Sequence, residues 1–140
     1  MIKKCRNLCG FLTLFFVLTG FAATNGNNSN SVVATDPLKP IVVKQAQPMF
    51  TVILQSNPTT GFSWALKSYD ENFIKPVKRV YVAGPRGLIG SGGYEKWTFA
   101  VKPSGFVVPQ TTNITLIYSR AWELEGAQAT NFKVVTINDN

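Results

Sequence analysis

From Pro37 onward the chain is written as short runs in which apolar and polar residues alternate, separated by Gly, Pro and Asn. Ile41-Val42-Val43 is the first such run. Met49 to Gln55 sets Phe50, Val52 and Leu54 on one face, and Phe62 to Tyr69 does the same with Phe62, Trp64 and Leu66. Val77 to Val82 follows. Tyr94 to Lys102 groups Trp97, Phe99 and Val101, Thr112 to Ser119 groups Ile114, Leu116 and Tyr118, and Phe132 to Ile137 closes the series. A period of two, strand-like lengths and enrichment in β-branched and aromatic residues all predict strands. No window carries a helical stripe. Seven to eight short strands in one domain predict an all-β fold, an immunoglobulin-like antiparallel β-sandwich.

The N-terminus is patterned differently. In residues 1–22, Lys3, Lys4 and Arg6 precede an apolar stretch from Leu8 to Leu18, and Gly20-Phe21-Ala22 supplies small residues where a signal peptidase cuts. This predicts a cleaved signal peptide and an exported protein, periplasmic or secreted, with no membrane attachment after cleavage. A lipid anchor is disfavoured because Cys5 and Cys9, the two cysteines of the chain, both precede the apolar stretch. Residues 23–36 are rich in Asn and Ser and read as a flexible polar linker, since such a segment buries too little surface to offset its ordering entropy. Residues 37–140 are then the folded domain.

Composition narrows the chemistry. The 140-residue chain has no histidine, which excludes Ser-His-Asp and Cys-His catalysis and every His-ligated metal site. Removing residues 1–22 takes both thiols and three of the fourteen basic residues. Eleven basic residues then face seven acids, a net charge of +4 that gives no argument for nucleic acid. The acids Asp36, Asp70, Glu71, Glu95, Glu123, Glu125 and Asp139 offer no facing pair of the kind a glycosidase needs. No enzyme activity, cofactor or metal is expected.

Three connections stand out instead. Asn57-Pro58-Thr59-Thr60-Gly61-Phe62 joins two strong strands. Pro58 fixes its own φ and biases Asn57 toward extended backbone, Thr59 and Thr60 are stiff at χ1, and Gly61 can adopt positive φ. The expected product is a narrow, uncharged wedge with two hydroxyls at its tip, preorganised for binding. Gly90-Ser91-Gly92-Gly93 leaves backbone groups uncovered and open to another protein's main chain; no helix or P-loop lysine follows to make it a phosphate cradle. Arg120-Ala121-Trp122-Glu123, at the start of a connection read as Ser119 to Thr130, has the composition of an interface anchor. On composition alone all three remain compatible with plain turns, and Trp122 with a cap folded onto the sandwich. In an immunoglobulin strand order the first and third connections share one end of the domain.

Taken together and in this order, the NPTTGF of Asn57 to Phe62, the GSGG of Gly90 to Gly93 and the RAW of Arg120 to Trp122 resemble the three binding loops of the chagasin family of cysteine-protease inhibitors. The resemblance spans residues 40–138. It implies an immunoglobulin-like sandwich and reversible, tight inhibition of papain-like (clan CA) cysteine proteases, with such a protease as partner and the inhibitor acting as a monomer. It implies further that Asn57, Pro58, Thr59, Thr60, Gly61 and Phe62 form the central wedge, with Thr59 nearest the protease's catalytic Cys-His pair. Gly90, Ser91, Gly92 and Gly93 would pair backbone-to-backbone beside the non-primed cleft, and Arg120 and Trp122 would pack on the primed side. Ala121 departs from the family pattern, which usually has Pro there. The competing expectation is a non-inhibitory glycan-binding or adhesion sandwich that uses Trp122 as a stacking platform. Cleavage of the signal is checked by N-terminal sequencing of the exported protein, which should begin after Ala22; an intact Met1 would refute it.

Overall fold

The computed structural model describes residues 31–84 and 92–138, with backbone only at 124–126. The predicted signal segment, residues 1–22, lies outside the described residues, as do Gly90 and Ser91. Eight strands are present: β1 (Val32–Ala34), β2 (Ile41–Lys44), β3 (Met49–Ser56), β4 (Phe62–Ser68), β5 (Ile74–Val82), β6 (Gly93–Val101), β7 (Gln110–Arg120) and β8 (Glu123–Ile137). Single 3-10 turns at Pro58–Thr60 and Pro103–Phe106 accompany them. The strands form two four-stranded sheets, ordered β1-β3-β6-β5 and β2-β8-β7-β4.

The period-two runs bury most of the faces that the sequence assigns to the core, but Phe62, Leu66 and Tyr118 are only half-buried. Phe50, Val52, Leu54, Trp97, Phe99 and Val101 line the inner face of the first sheet; Trp64, Ile114, Leu116, Phe132 and Val134 meet them from the second. Phe50 and Phe99 are direct cross-strand partners with rings stacked 5.3 Å apart, and Trp97 stacks beyond Phe99 at 6.4 Å. Such pairs add to area burial and fix the β3–β6 register, because a one-residue slip would turn every core side chain to solvent.

Three features differ from the sequence expectations. The sheets are mixed, since β1 runs parallel to β3 and β2 runs parallel to β8 at the two edges. The chain leaves β1, crosses to the other sheet and reverses before β2, so each sheet gains one parallel edge strand. Second, β1 lies inside the stretch read as a polar linker: Val32, Val33 and Ala34 pair with Phe50, Thr51 and Val52. Pairing with a strand already in place compensates what the local composition lacks. Third, the connection read as Ser119 to Thr130 is mostly strand. β7 and β8 form a long hairpin closed by only Ala121 and Trp122, with a register shift between Tyr118 and Arg120.

The sheet edges carry features that discourage pairing with another chain. β1 and β2 are three and four residues long. β5 has Lys75, Pro76 and Lys78, with a register shift between Pro76 and Lys78, and β4 shifts register around Lys67. Trp97 is a core residue, 8% exposed. Trp97→Ala should lower unfolding stability by ~3–5 kcal/mol, the usual range for truncating a buried large aromatic, read by denaturant titration; a change below ~1 kcal/mol would contradict this packing.

Candidate functional site

Strand register brings three connections to one end of the sandwich. Ser56, the last residue of β3, pairs with Gly93, the first of β6. Val82, the last of β5, pairs with Tyr94, and Phe62, the first of β4, pairs with Arg120, the last of β7. The immunoglobulin analogy placed only the first and third of these together; here the glycine-rich connection joins them.

The β3–β4 connection crosses between sheets in five residues. Asn57 lies between the extended and helical regions (φ −131°, ψ 83°) rather than in the extended backbone expected before a proline, Pro58–Thr60 make one 3-10 turn, and Gly61 closes it in the left-handed region at φ 81°. Any other L-residue would be strained at Gly61, where it is the only described residue with positive φ. Thr60 N–H donates to the Asn57 carbonyl (3.1 Å) and Gly61 N–H to that of Pro58 (2.9 Å). The hydroxyls expected at the tip turn back on the loop: Thr59 Oγ1 donates to Asn57 Oδ1 (2.5 Å) and Thr60 Oγ1 to the Asn57 carbonyl (2.6 Å). The tip is therefore internally hydrogen-bonded, and Pro58, Thr59 and Thr60 are exposed.

Two side chains on neighbouring strands hold the base of this wedge. The Tyr118 ring stacks on Phe62 (5.4 Å) and lies tilted against Trp64 (5.0 Å), and its hydroxyl accepts a hydrogen bond from Asn57 N–H (2.9 Å). Glu95 is 1% exposed. Its Oε1 accepts from Ser56 Oγ (2.8 Å) and from the backbone N–H of Trp64 (3.2 Å), and its Oε2 from Arg79 Nε (2.7 Å). Trp64 Nε1 donates to the Gln55 carbonyl (2.7 Å), a further tie between β4 and β3. Sequence reasoning placed Trp64 and Tyr118 in the core alternation and counted Glu95 among unpaired acids. The signal for Glu95 was present: it stands two residues before Trp97 in the alternation that buries Trp97, Phe99 and Val101.

The hairpin turn flanks the wedge. The Arg120 guanidinium lies 4.7 Å from the Phe62 ring centroid and pairs with Glu123 at 3.3 Å. Trp122 is 77% exposed, so it is not a cap folded onto the core. Its ring edge lies 3.7 Å from where a Cβ on Gly61 would be, which places the indole beside the wedge. On the other flank, a Cβ on Gly92 would come within 2.9 Å of the Ser56 carbonyl oxygen and 3.3 Å of Asn57 Cβ, and one on Gly93 would collide with the Val82 carbonyl. Glycine at these two positions lets the third connection approach the wedge's root.

The end surface so formed carries a projecting, uncharged turn, an exposed indole and a cation held on an aromatic ring. Beside the wedge is an open recess of about 600 Å³ lined by both polar and aromatic groups, among them Gln55, Asn57, Gln128, Tyr94 and Tyr118. These are properties of a surface that inserts into, or lies against, another macromolecule.

A family model described as the chagasin family of peptidase inhibitors, I42, matches residues 44–136. Chagasin from Trypanosoma cruzi is 34% identical over 73 residues, covering 49% of this chain and 62% of that protein; the alignment thus spans less than two thirds of the relative's length. Among solved structures, a cysteine protease inhibitor from Entamoeba histolytica aligns with a TM-score of 0.56 at 19% identity, over 75% of this chain and 93% of that one. Amebosin aligns with a TM-score of 0.57 at 24% identity, over 76% and 97%. At these identities the structures speak for the fold, which is the two-sheet sandwich described above.

Proposed function

The chain belongs to the chagasin family of peptidase inhibitors, and from that membership we propose that it is a reversible, tight-binding inhibitor of papain-like cysteine proteases that performs no chemistry of its own. The observation that carries the reading is the convergence of the three connections at one end, with Trp122 and Gly92 set against an internally hydrogen-bonded turn that Gly61 closes. The wedge, Asn57 to Phe62, enters the cleft over the protease's nucleophilic cysteine, with Thr59 foremost. Gly92 and Gly93, continued by Gly90 and Ser91, pair along one wall, and Arg120 and Trp122 pack against the other. The internal hydrogen bonds of the turn support this, because a loop ordered before binding gives up little entropy on binding. The inhibitor acts as a monomer outside the cytoplasm; the shielded edges of β4 and β5 and the export signal in the sequence support those two points.

The alternative, a glycan-binding or adhesion module, draws on the exposure of Trp122. Titrating the purified domain into papain with a fluorogenic substrate separates the two. Stoichiometric loss of activity is expected, and full activity at micromolar excess would reject inhibition. In the same assay Trp122→Ala should weaken binding by about 2 kcal/mol or more, roughly 30-fold. Thr59→Arg should abolish inhibition without unfolding the domain, which keeps a cooperative thermal melt, since the tip is exposed. Wild-type potency in either variant would remove that residue from the interface.

Ala121 occupies the first of the two turn positions between Arg120 and Glu123, and no described residue other than Gly61 has positive φ. A proline is compatible with negative φ there and favoured at the first central position of a type I turn. Ala121→Pro should therefore tighten inhibition by ~0.4–1 kcal/mol by reducing the freedom of the unbound loop; equal or weaker potency would show that the turn is already held as tightly by the Arg120–Glu123 pair.

A further inference from the structure

We propose that Glu95 is the positioning residue of the binding end: one buried carboxylate sets where the wedge stands, although it is not itself part of the binding surface. The inference rests on the inhibitory reading for its consequence in binding and on geometry alone for its mechanism. β3 and β4 lie in different sheets, so no backbone ladder joins the two roots of the wedge. Glu95 Oε1 joins them, holding Ser56, one residue before the loop, and the Trp64 amide, three residues after Gly61. The other oxygen is held by Arg79 on β5, whose guanidinium also lies over the Trp97 ring at 4.9 Å. Glu95 is itself the third residue of β6. A single side chain thus ties together the four strand ends from which the wedge and the glycine-rich connection depart.

A carboxylate suits this task better than an amide. It is acceptor-only, and all three of its partners here are donors. Hydrogen bonds to an ionised acceptor are shorter and stronger than neutral ones. Burying the charge is tolerated because Arg79 reaches it from the sheet edge, with its own side chain 45% exposed. The Ser56 and Trp64 bonds satisfy acceptor sites that the ion pair leaves open on a buried carboxylate. The donors that do so stand at the two roots of the wedge, one on β3 and one on β4.

The test uses the full chain and separates positioning from stability. Ser56→Ala keeps the Glu95–Arg79 pair and removes only the bond to the wedge root. Val134→Ala, in the core of β8 away from the loops, serves as a control of comparable destabilisation. Three quantities are read: thermal melts, amide exchange of Thr60 and Gly61 in the free protein, and association and dissociation rates with papain. Ser56→Ala should speed exchange at both amides and dissociation from papain by about tenfold relative to the control, with association little changed. Glu95→Gln, if it folds, should exceed both effects. Exchange and dissociation in Ser56→Ala that match Val134→Ala would overturn the proposal and leave Glu95 a stabilising residue only. Faster exchange at Thr60 and Gly61 in a protein that fails to inhibit papain would uphold the positioning role and instead refute the inhibitory reading.

Discussion

A strand that changes sheet in a β-sandwich has to cross about 10 Å of packed side chains, and no ladder guides it while it does so. Here β3 ends in one sheet and β4 begins in the other, with five residues between them. The crossing is short enough that its backbone has almost no choice. One proline, one 3-10 turn and one left-handed glycine complete it. The remaining features of this end of the sandwich are arranged around that crossing: Tyr118 beneath its first residue, the Trp122 indole beside its last, and Gly92 close against its root. The rigidity required to close the sandwich and the rigidity useful in a plug come from the same five residues.

Most of the fold was legible because its core is written in period two. Runs that face the other sheet alternate cleanly, and the structure buries most of the residues that alternation selects, with Phe62, Leu66 and Tyr118 half-buried at the margins. Legibility failed where a strand is not half-buried. Val32–Ala34 is too short to show a period and sits in polar surroundings; it becomes a strand because β3 offers it an edge. Residues 123–130 extend β8 beyond the stretch that pairs with β2, and none of their described side chains is buried, so no buried face announces a strand. The start of β5 hid for a related reason. Lys75, Pro76 and Lys78 interrupt its hydrophobic pattern in order to guard an edge.

The site was legible at its surface and opaque beneath. Pro, Gly and Trp mark loops by their own conformational chemistry, so Asn57 to Gly61 and Trp122 could be singled out from residue types alone. What supports them depends on tertiary proximity. Tyr118 looked like one more aromatic in a strand, and its hydroxyl acquires meaning only when Asn57 is brought over it. Glu95 falls on the buried face of the Trp97, Phe99 and Val101 alternation, but the three donors around it, from residues as far as 39 positions away, become visible only in the fold. The fate of the two threonine hydroxyls was likewise invisible, because whether a side chain reaches outward or back depends on the turn it sits in.

The parallel pairing of β2 with β8 has a temporal consequence. Ile41 and Val43, among the first residues of the fold, are 2% and 0% exposed, and the backbone they lean on runs from Val134 to Ile137. A nascent chain still holding Val134 to Ile137 inside the ribosome cannot complete the second sheet. The two buried side chains of β2 must wait until β8 has emerged, so that sheet closes only after nearly the whole domain has been made.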